Sequence, residues 1–387
     1  MPKHIDTLDV QLSLKPRVKD LIKDKLYPSS DEKGVYKLSP AYLPVAFRYQ
    51  CRGYYLIVKL QHQFMIDIET VEELQEKVFQ LVTDFFHISI SDIVKYKVVK
   101  TPKSKIRVRC KSGKDITGNL GGNFLQNLIE INRIEYKNDD RLIAVDDEKL
   151  ATEDIFRIST DKSNGMIKAL WKYSNRTNCT YNSERNNHVS ITCYFKEYER
   201  LENGDIAGAE KYKGCLRTEV KVKNAHLDYK RKAESNARDK TLVNYFKEEV
   251  AQEYFSKYLE PIFYTEPFYR LDIAKDIIQN YEPEEKQDDK KQEENQEDNQ
   301  ENKKEKQLQI PQFKKDRWCK FLTEINEVGI TAVKEKYSDE TFKDYINIIR
   351  ALGINPLCFN PVINGRKLTI EKMENFTLFQ NSIDSDI

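Results

Sequence analysis

Several motifs that anchor common enzyme chemistries are missing from this chain. There is no G-x-x-x-x-G-K-[ST] run, so no P-loop nucleotide engine is readable. Gly121-Gly122 stands alone, outside any dinucleotide fingerprint. The seven cysteines include no C-x-x-C pair, so no zinc site is readable, and free thiols suit a reducing compartment. The five histidines (His4, His62, His87, His188, His226) are dispersed, with no His-x-His pair and no spacing that supports a Ser-His-Asp or Cys-His arrangement. Long apolar runs are missing too. The start MPKHIDTLDVQ has no signal-like stretch, and no run reaches the roughly 20 apolar residues of a membrane helix. The expectation is a soluble, cytoplasmic protein.

What is present is charge. Lysine and arginine number 64 against 63 acids, but the balance hides a segregation. Glu282–Gln309 holds eleven acids, six lysines, no aromatic residue and one leucine. Such a stretch cannot bury enough surface to offset its ordering entropy, so it reads as a disordered charged linker. It leaves about +6 on the rest of the chain, which is compatible with a nucleic-acid partner.

Before the linker the pattern mixes strands and helices. His4–Leu14 alternates as a strand, and two strand-like runs within Tyr36–Leu60 flank Arg52-Gly53. Thr70–Phe86 shows helical spacing, with Glu72 and Glu73 in its first turn. Ile93–Val99 and Ile106–Cys110 read as a second hairpin. Its Lys95, Lys97, Lys105, Arg107 and Arg109 could lie along a phosphate backbone, although lysines also guard ordinary sheet edges. Leu125–Tyr136 runs from a helix end into a strand carrying Arg133 and Glu135, and Asp147–Ile158 is helical. Helices follow at Asp239–Tyr258 and Asp272–Asn280. Beyond the linker, Asp316–Val328 and Ser338–Leu352 are amphipathic, with Ser338 as a cap and Gly353 as a stop.

Two stretches carry the chemistry. In Asn187–Arg200, read as one strand, Val189, Ile191, Cys193 and Phe195 fall on an apolar face. Ser190, Thr192, Tyr194, Lys196 and Tyr198 fall on the other. A phenol beside an ammonium can attack phosphorus and later leave again. The same pattern also describes a solvated surface strand. In Cys215–Lys223, Leu216, Thr218, Val220 and Val222 turn inward, and Arg217, Glu219, Lys221 and Lys223 turn to the other face. If the two strands are partners, hydroxyls, cations and a carboxylate share one surface.

Taken together, these stretches resemble the replication initiators of filamentous-phage type, plus-strand nicking endonucleases of rolling-circle replication, and related initiators from phages and plasmids. The matching pieces occur in the family's order: Ile5-Asp6-Thr7-Leu8, Arg133-Ile134-Glu135, Ser163-Asn164-Gly165, His188 before Tyr194-Phe195-Lys196, and Leu216-Arg217-Thr218-Glu219-Val220. In the C-terminal part, Gly329–Val333 and Leu352–Asn355 continue the match. The chain has Glu135 where the family usually has Asp, and Thr218 where it has Phe.

The resemblance implies an α+β body, mainly antiparallel and relaxase-like, over residues 1–281. Linker 282–309 and a small all-helical module over 310–387 would follow. It implies that Tyr194 attacks a phosphodiester at an origin, leaving a 5′-phosphotyrosine and a 3′-OH primer. Mg2+ or Mn2+ would be held by Glu135, Glu219 and Asp6, with Lys196 and Arg217 beside the phosphate. His188 would be a base or phosphate contact, and Tyr198 a possible second tyrosine. Origin DNA and the host helicase and polymerase are the implied partners. The alternative is a non-catalytic initiator that binds the origin and recruits those host proteins.

Overall fold

The computed structural model describes residues 4–38, 45–51, 54–93, 96–100, 106–110, 129–159, 167–171, 179–185, 189–232, 238–282 and 310–375. The chain divides into two compact units. The first comprises Met1–Arg141, Met166–Pro261 and Phe376–Ile387; the second comprises Leu142–Gly165 and Ile262–Asn375. The expected boundary after residue 281 therefore falls inside the second unit. Residues 283–309 of the expected linker, Ser163-Asn164-Gly165 and His188 lie outside the described residues.

The first unit is α+β, built on one antiparallel sheet of ten strands in the order β2-β3-β4-β5-β1-β8-β12-β11-β10-β9. In chain order these are β1 (Ile5–Ser13), β2 (Tyr27–Pro28), β3 (Val35–Leu38), β4 (Val45–Gln50), β5 (Tyr55–Gln61), β8 (Ile129–Arg141), β9 (Ile167–Trp171), β10 (Cys179–Arg185), β11 (Val189–Phe195) and β12 (Cys215–Lys223). Strands β6 (Tyr96–Lys100) and β7 (Ile106–Cys110) pair separately, with Lys97 opposite Arg109 and Val99 opposite Arg107. Lys95 and Lys105 lie outside the described residues.

The period-two pattern explains the central strands. Leu8, Val10, Ile134, Tyr136, Ile191, Val220 and Val222 are all buried, and each fully buried aliphatic or aromatic side chain contributes roughly 1.5–3 kcal/mol. Tyr136 donates from its hydroxyl to the Tyr245 carbonyl at 2.8 Å and stacks on Tyr254 at 5.7 Å. Those contacts bring the Leu242–Tyr245 and Glu248–Phe263 helices onto the apolar side. Helix Val71–Phe86 is capped by Thr70, whose hydroxyl accepts from the Glu73 amide at 3.1 Å. Its Phe85 and Phe86 pack against Phe47 of β4.

Two boundaries differ from the sequence reading. Strand β8 continues past Tyr136 to Arg141, because β12 pairs with it along its whole length. Strand β11 stops at Phe195, and Lys196–Glu202 is a helix. Phe195, Tyr198 and Leu201 recur at helical spacing, and Lys196 pairs with Glu199 one turn on, at 2.7 Å. Lys196 and Tyr198 therefore leave the strand face on which alternation placed them.

The second unit is mainly helical. Its helices are Val145–Ile158, Leu271–Asn280, Gln312–Val328, Ile330–Lys336 and Asp339–Ala351. Phe321 sets its ring edge-on to Tyr337, Phe342 and Tyr345. Ser338 caps the last helix, and Gly353 follows it at φ +72°, where a Cβ would be strained. The unit is not the all-helical module expected over 310–387. It takes in the Val145–Ile158 helix, whose Asp154 accepts from the Asn360 amide at 2.9 Å, and two short ladders, Phe268–Tyr269 with Lys372–Met373 and Val362–Ile363 with Arg366–Lys367. A buried helix carboxylate that satisfies a distant backbone amide is a tertiary contact, and local periodicity carries no signal for it.

Candidate active site on the polar face of the sheet

Strands β8, β12 and β11 lie side by side, and their register builds three rows across the polar face. Asp139, Arg217 and Tyr194 are aligned in one row; Lys137, Glu219 and Thr192 in the next; Glu135, Lys221 and Ser190 in the third. Side chains directly opposite on neighbouring strands touch, so each row is a contact set and charges of opposite sign face one another. The Tyr194 hydroxyl donates diagonally to Glu219 Oε1 at 2.7 Å. Arg217 donates from Nε and Nη2 to the two Asp139 oxygens at 2.6 and 2.7 Å, and from Nη1 to Asp6 Oδ1 at 3.0 Å. Lys221 Nζ is 2.7 Å from Glu135 Oε1. Arg217 is 3% exposed and Glu219 8%, so these charges sit largely out of water.

That burial sets the protonation states. Burial, with the charges of Glu135 and Asp6 beside it, pushes the Glu219 carboxyl up to about 8. Burial and the neighbouring Glu219 raise the Tyr194 phenol well above its usual range, so the phenol is neutral and needs a proton acceptor before it can attack. Burial would raise Asp139, but the Arg217 charge and its hydrogen bonds outweigh it and Asp139 titrates below the usual carboxylate range. Burial and the Arg217 charge bring Lys137 down to about 8.

Of the residues expected from sequence, Tyr194 with Glu219 and Arg217 with Asp6 form two hydrogen-bonded pairs, set side by side because Arg217 and Glu219 are neighbours along one face of β12. Lys196 lies beside it, with Nζ 5.7 Å from the Tyr194 ring centre. Tyr198 is turned away from the row; its ring meets Phe195 edge-on at 5.9 Å, on the apolar side of the strand end. Glu135 is in the neighbouring row, held by Lys221. His188, Lys95 and Lys105 lie outside the described residues, and Lys97, Arg107 and Arg109 are described by their strands alone.

The sequence reading did not find Asp139, Lys137 or His62. Lys137 and Asp139 continue the β8 alternation one and two steps beyond Glu135, past the strand end read from sequence. His62 has Nδ1 3.2 Å from the Ile5 carbonyl, and burial with the Lys137 charge lowers its pKa. No local signal marks it, since it reaches the site from the end of β5.

Asp6, Glu135 and Glu219, expected to bind Mg2+ or Mn2+, come from the three adjacent strands β1, β8 and β12. Each is turned to a different partner: Arg217, Lys221 and the Tyr194 hydroxyl. A hard divalent ion needs several oxygens converging on one point at about 2.0–2.6 Å. Among the described residues no three of His, Cys, Asp and Glu are so placed, and the side chains as they stand do not fit such an ion.

No protein-family model matches the chain, and no curated protein matches it. Among the described residues no helix is long and apolar enough to cross a membrane.

Proposed function

We propose that the chain is a site-specific DNA nicking-closing endonuclease that starts rolling-circle replication of a phage or plasmid, with Tyr194 as its nucleophile. The observation that carries this reading is the 2.7 Å hydrogen bond from the half-buried Tyr194 phenol to the buried Glu219, beside the buried Arg217. A tyrosine placed only for packing would not require a carboxylate acceptor flanked by cations.

The reaction follows from these groups. Tyr194 Oη attacks the scissile phosphorus, and its proton passes to ionised Glu219. The P–Oη bond forms as the P–O3′ bond breaks, and the 3′-oxygen takes a proton from solvent. The products are a 5′-phosphotyrosine and a 3′-OH that the host polymerase extends behind a host helicase. Arg217 and Lys196 supply the positive charge that offsets charge building on the phosphoryl oxygens. Because the covalent bond conserves the phosphodiester's energy, attack by a 3′-OH on the phosphotyrosine rejoins the strand without ATP. The β6–β7 ribbon, with Lys97 paired to Arg109, supports a grip on the DNA backbone.

The test incubates the protein with supercoiled plasmid carrying the DNA that flanks its own gene, in Mg2+ or Mn2+. Nicked circles with protein bound at the 5′ end, and a Tyr194 peptide bearing the nucleotide, are the expected products. A Tyr194→Phe chain that still forms the adduct would overturn the assignment. The full pairing of the site carboxylates favours a second reading, a non-catalytic initiator that recruits helicase and polymerase. Tight binding without cleavage in either metal would select it.

A further inference from the structure

Arg217 is held from two sides. Asp139 takes Nε and Nη2, and Asp6 takes Nη1. A guanidinium carries five N–H groups, and three are used in this way. The two that remain are one on Nη1 and one on Nη2, and an arginine with a free N–H on each terminal nitrogen can donate to the oxygens of a phosphate. The register sets Tyr194 directly opposite Arg217, with Asp139 opposite it on the other side. Asp139 is the stronger clamp, since its bidentate contact fixes both the plane and the rotation of the guanidinium, whereas Asp6 adds a single bond. An arginine without such a clamp samples many rotamers, and aim is lost.

We propose that Asp139 is the positioning residue of this site: it fixes Arg217 so that its two free N–H groups face the phosphodiester that Tyr194 attacks. The proposal rests on the nickase reading given above. It carries a consequence that packing alone does not. Asp139 adds a negative charge beside the phosphate, so it opposes DNA binding while improving the alignment of the reacting groups. Removing that charge therefore moves binding and turnover in opposite directions.

The test uses the full chain and a single-stranded oligonucleotide spanning the nick mapped in the plasmid assay. For Asp139→Asn, adduct formation slows about 10- to 100-fold, while the Kd for the oligonucleotide is unchanged or lower. Arg217→Lys, which keeps the charge and loses the fork, shows the same split. In the Arg217→Lys background, Asp139→Asn changes the rate less than about threefold, because the two residues act as one unit. An Asp139→Asn chain that reacts at the wild-type rate overturns the proposal, as does a full Asp139→Asn effect in the Arg217→Lys background. Should Asp139→Asn lose its far-UV circular dichroism, the Arg217→Lys split decides: binding and rate lost together overturn the proposal. A wild-type chain that forms no adduct overturns the nickase reading, and this proposal with it.

Discussion

Replacing Glu219 by Gln should stabilise the protein at neutral pH and disable it. Glu219 titrates near 8 in the fold against 4.5 for an ordinary glutamate, because it is buried beside Glu135 and Asp6. A carboxyl whose pKa is raised on folding favours the fold fully below pH 4.5, and that contribution is lost as pH rises through 8. Each unit of difference corresponds to about 1.4 kcal/mol. At pH 7 the unfolded chain has ionised this group and the folded chain has not, so the 2.5 units from 4.5 to 7 cost about 3 kcal/mol of stability. At pH 5 the same group costs under about 1 kcal/mol, and at pH 9 close to 5. Gln cannot ionise, yet its Oε1 still accepts from the Tyr194 hydroxyl. Urea unfolding followed by circular dichroism at pH 5, 7 and 9 should show Glu219→Gln gaining up to about 3 kcal/mol over wild type at pH 7 and little at pH 5. Equal stability of the two chains at all three values, or a less stable Glu219→Gln chain at pH 7, would refute the reasoning. The gain at the expense of activity is the pattern expected where a site holds an ionisable group in an unfavourable state.

The same titration predicts that single-turnover nicking by the wild-type chain rises about tenfold per pH unit until pH 8 and then levels; a rate that is flat from pH 6 to 8 would show that Glu219 is not the proton acceptor. Arg217→Met should lose about 3 kcal/mol in urea unfolding, since it leaves the largely buried Asp139 carboxylate without its partner, and the double change with Asp139→Leu should recover part of that loss. Ile134→Ala, at a fully buried position in a central strand, should cost about 2–5 kcal/mol in the same assay. Thr70→Ala removes the hydroxyl that accepts from the Glu73 amide and should cost about 1 kcal/mol with no change in adduct formation.

Much of the local structure is readable without coordinates. Apolar alternation in Ile5–Ser13, Val189–Phe195 and Cys215–Lys223 identifies three of the central strands, because a strand with one apolar face must repeat its apolar residues with period two. Thr70 and Ser338 announce helix starts for an equally local reason, the need of free amides for an acceptor. The pairing of Tyr194 with Glu219 was within reach on the same grounds, once the two strands were taken as partners.

Sequence alone thus determined which residues are polar neighbours along one strand, a property of the backbone's own period. Only the tertiary structure decided what stands beside them on the next strand. That β8 lies against β12 and runs on to Arg141 is a matter of long-range pairing, and it alone brings Asp139 onto Arg217 and Glu135 onto Lys221. The register likewise turned three carboxylates that sequence grouped as one ion-binding set toward three separate partners. The end of β11 at Phe195 is a local matter instead, since helical spacing and a Lys196–Glu199 pair outweigh two more steps of alternation. A two-residue period cannot encode the strand order, because that depends on which distant strand supplies the opposing charge.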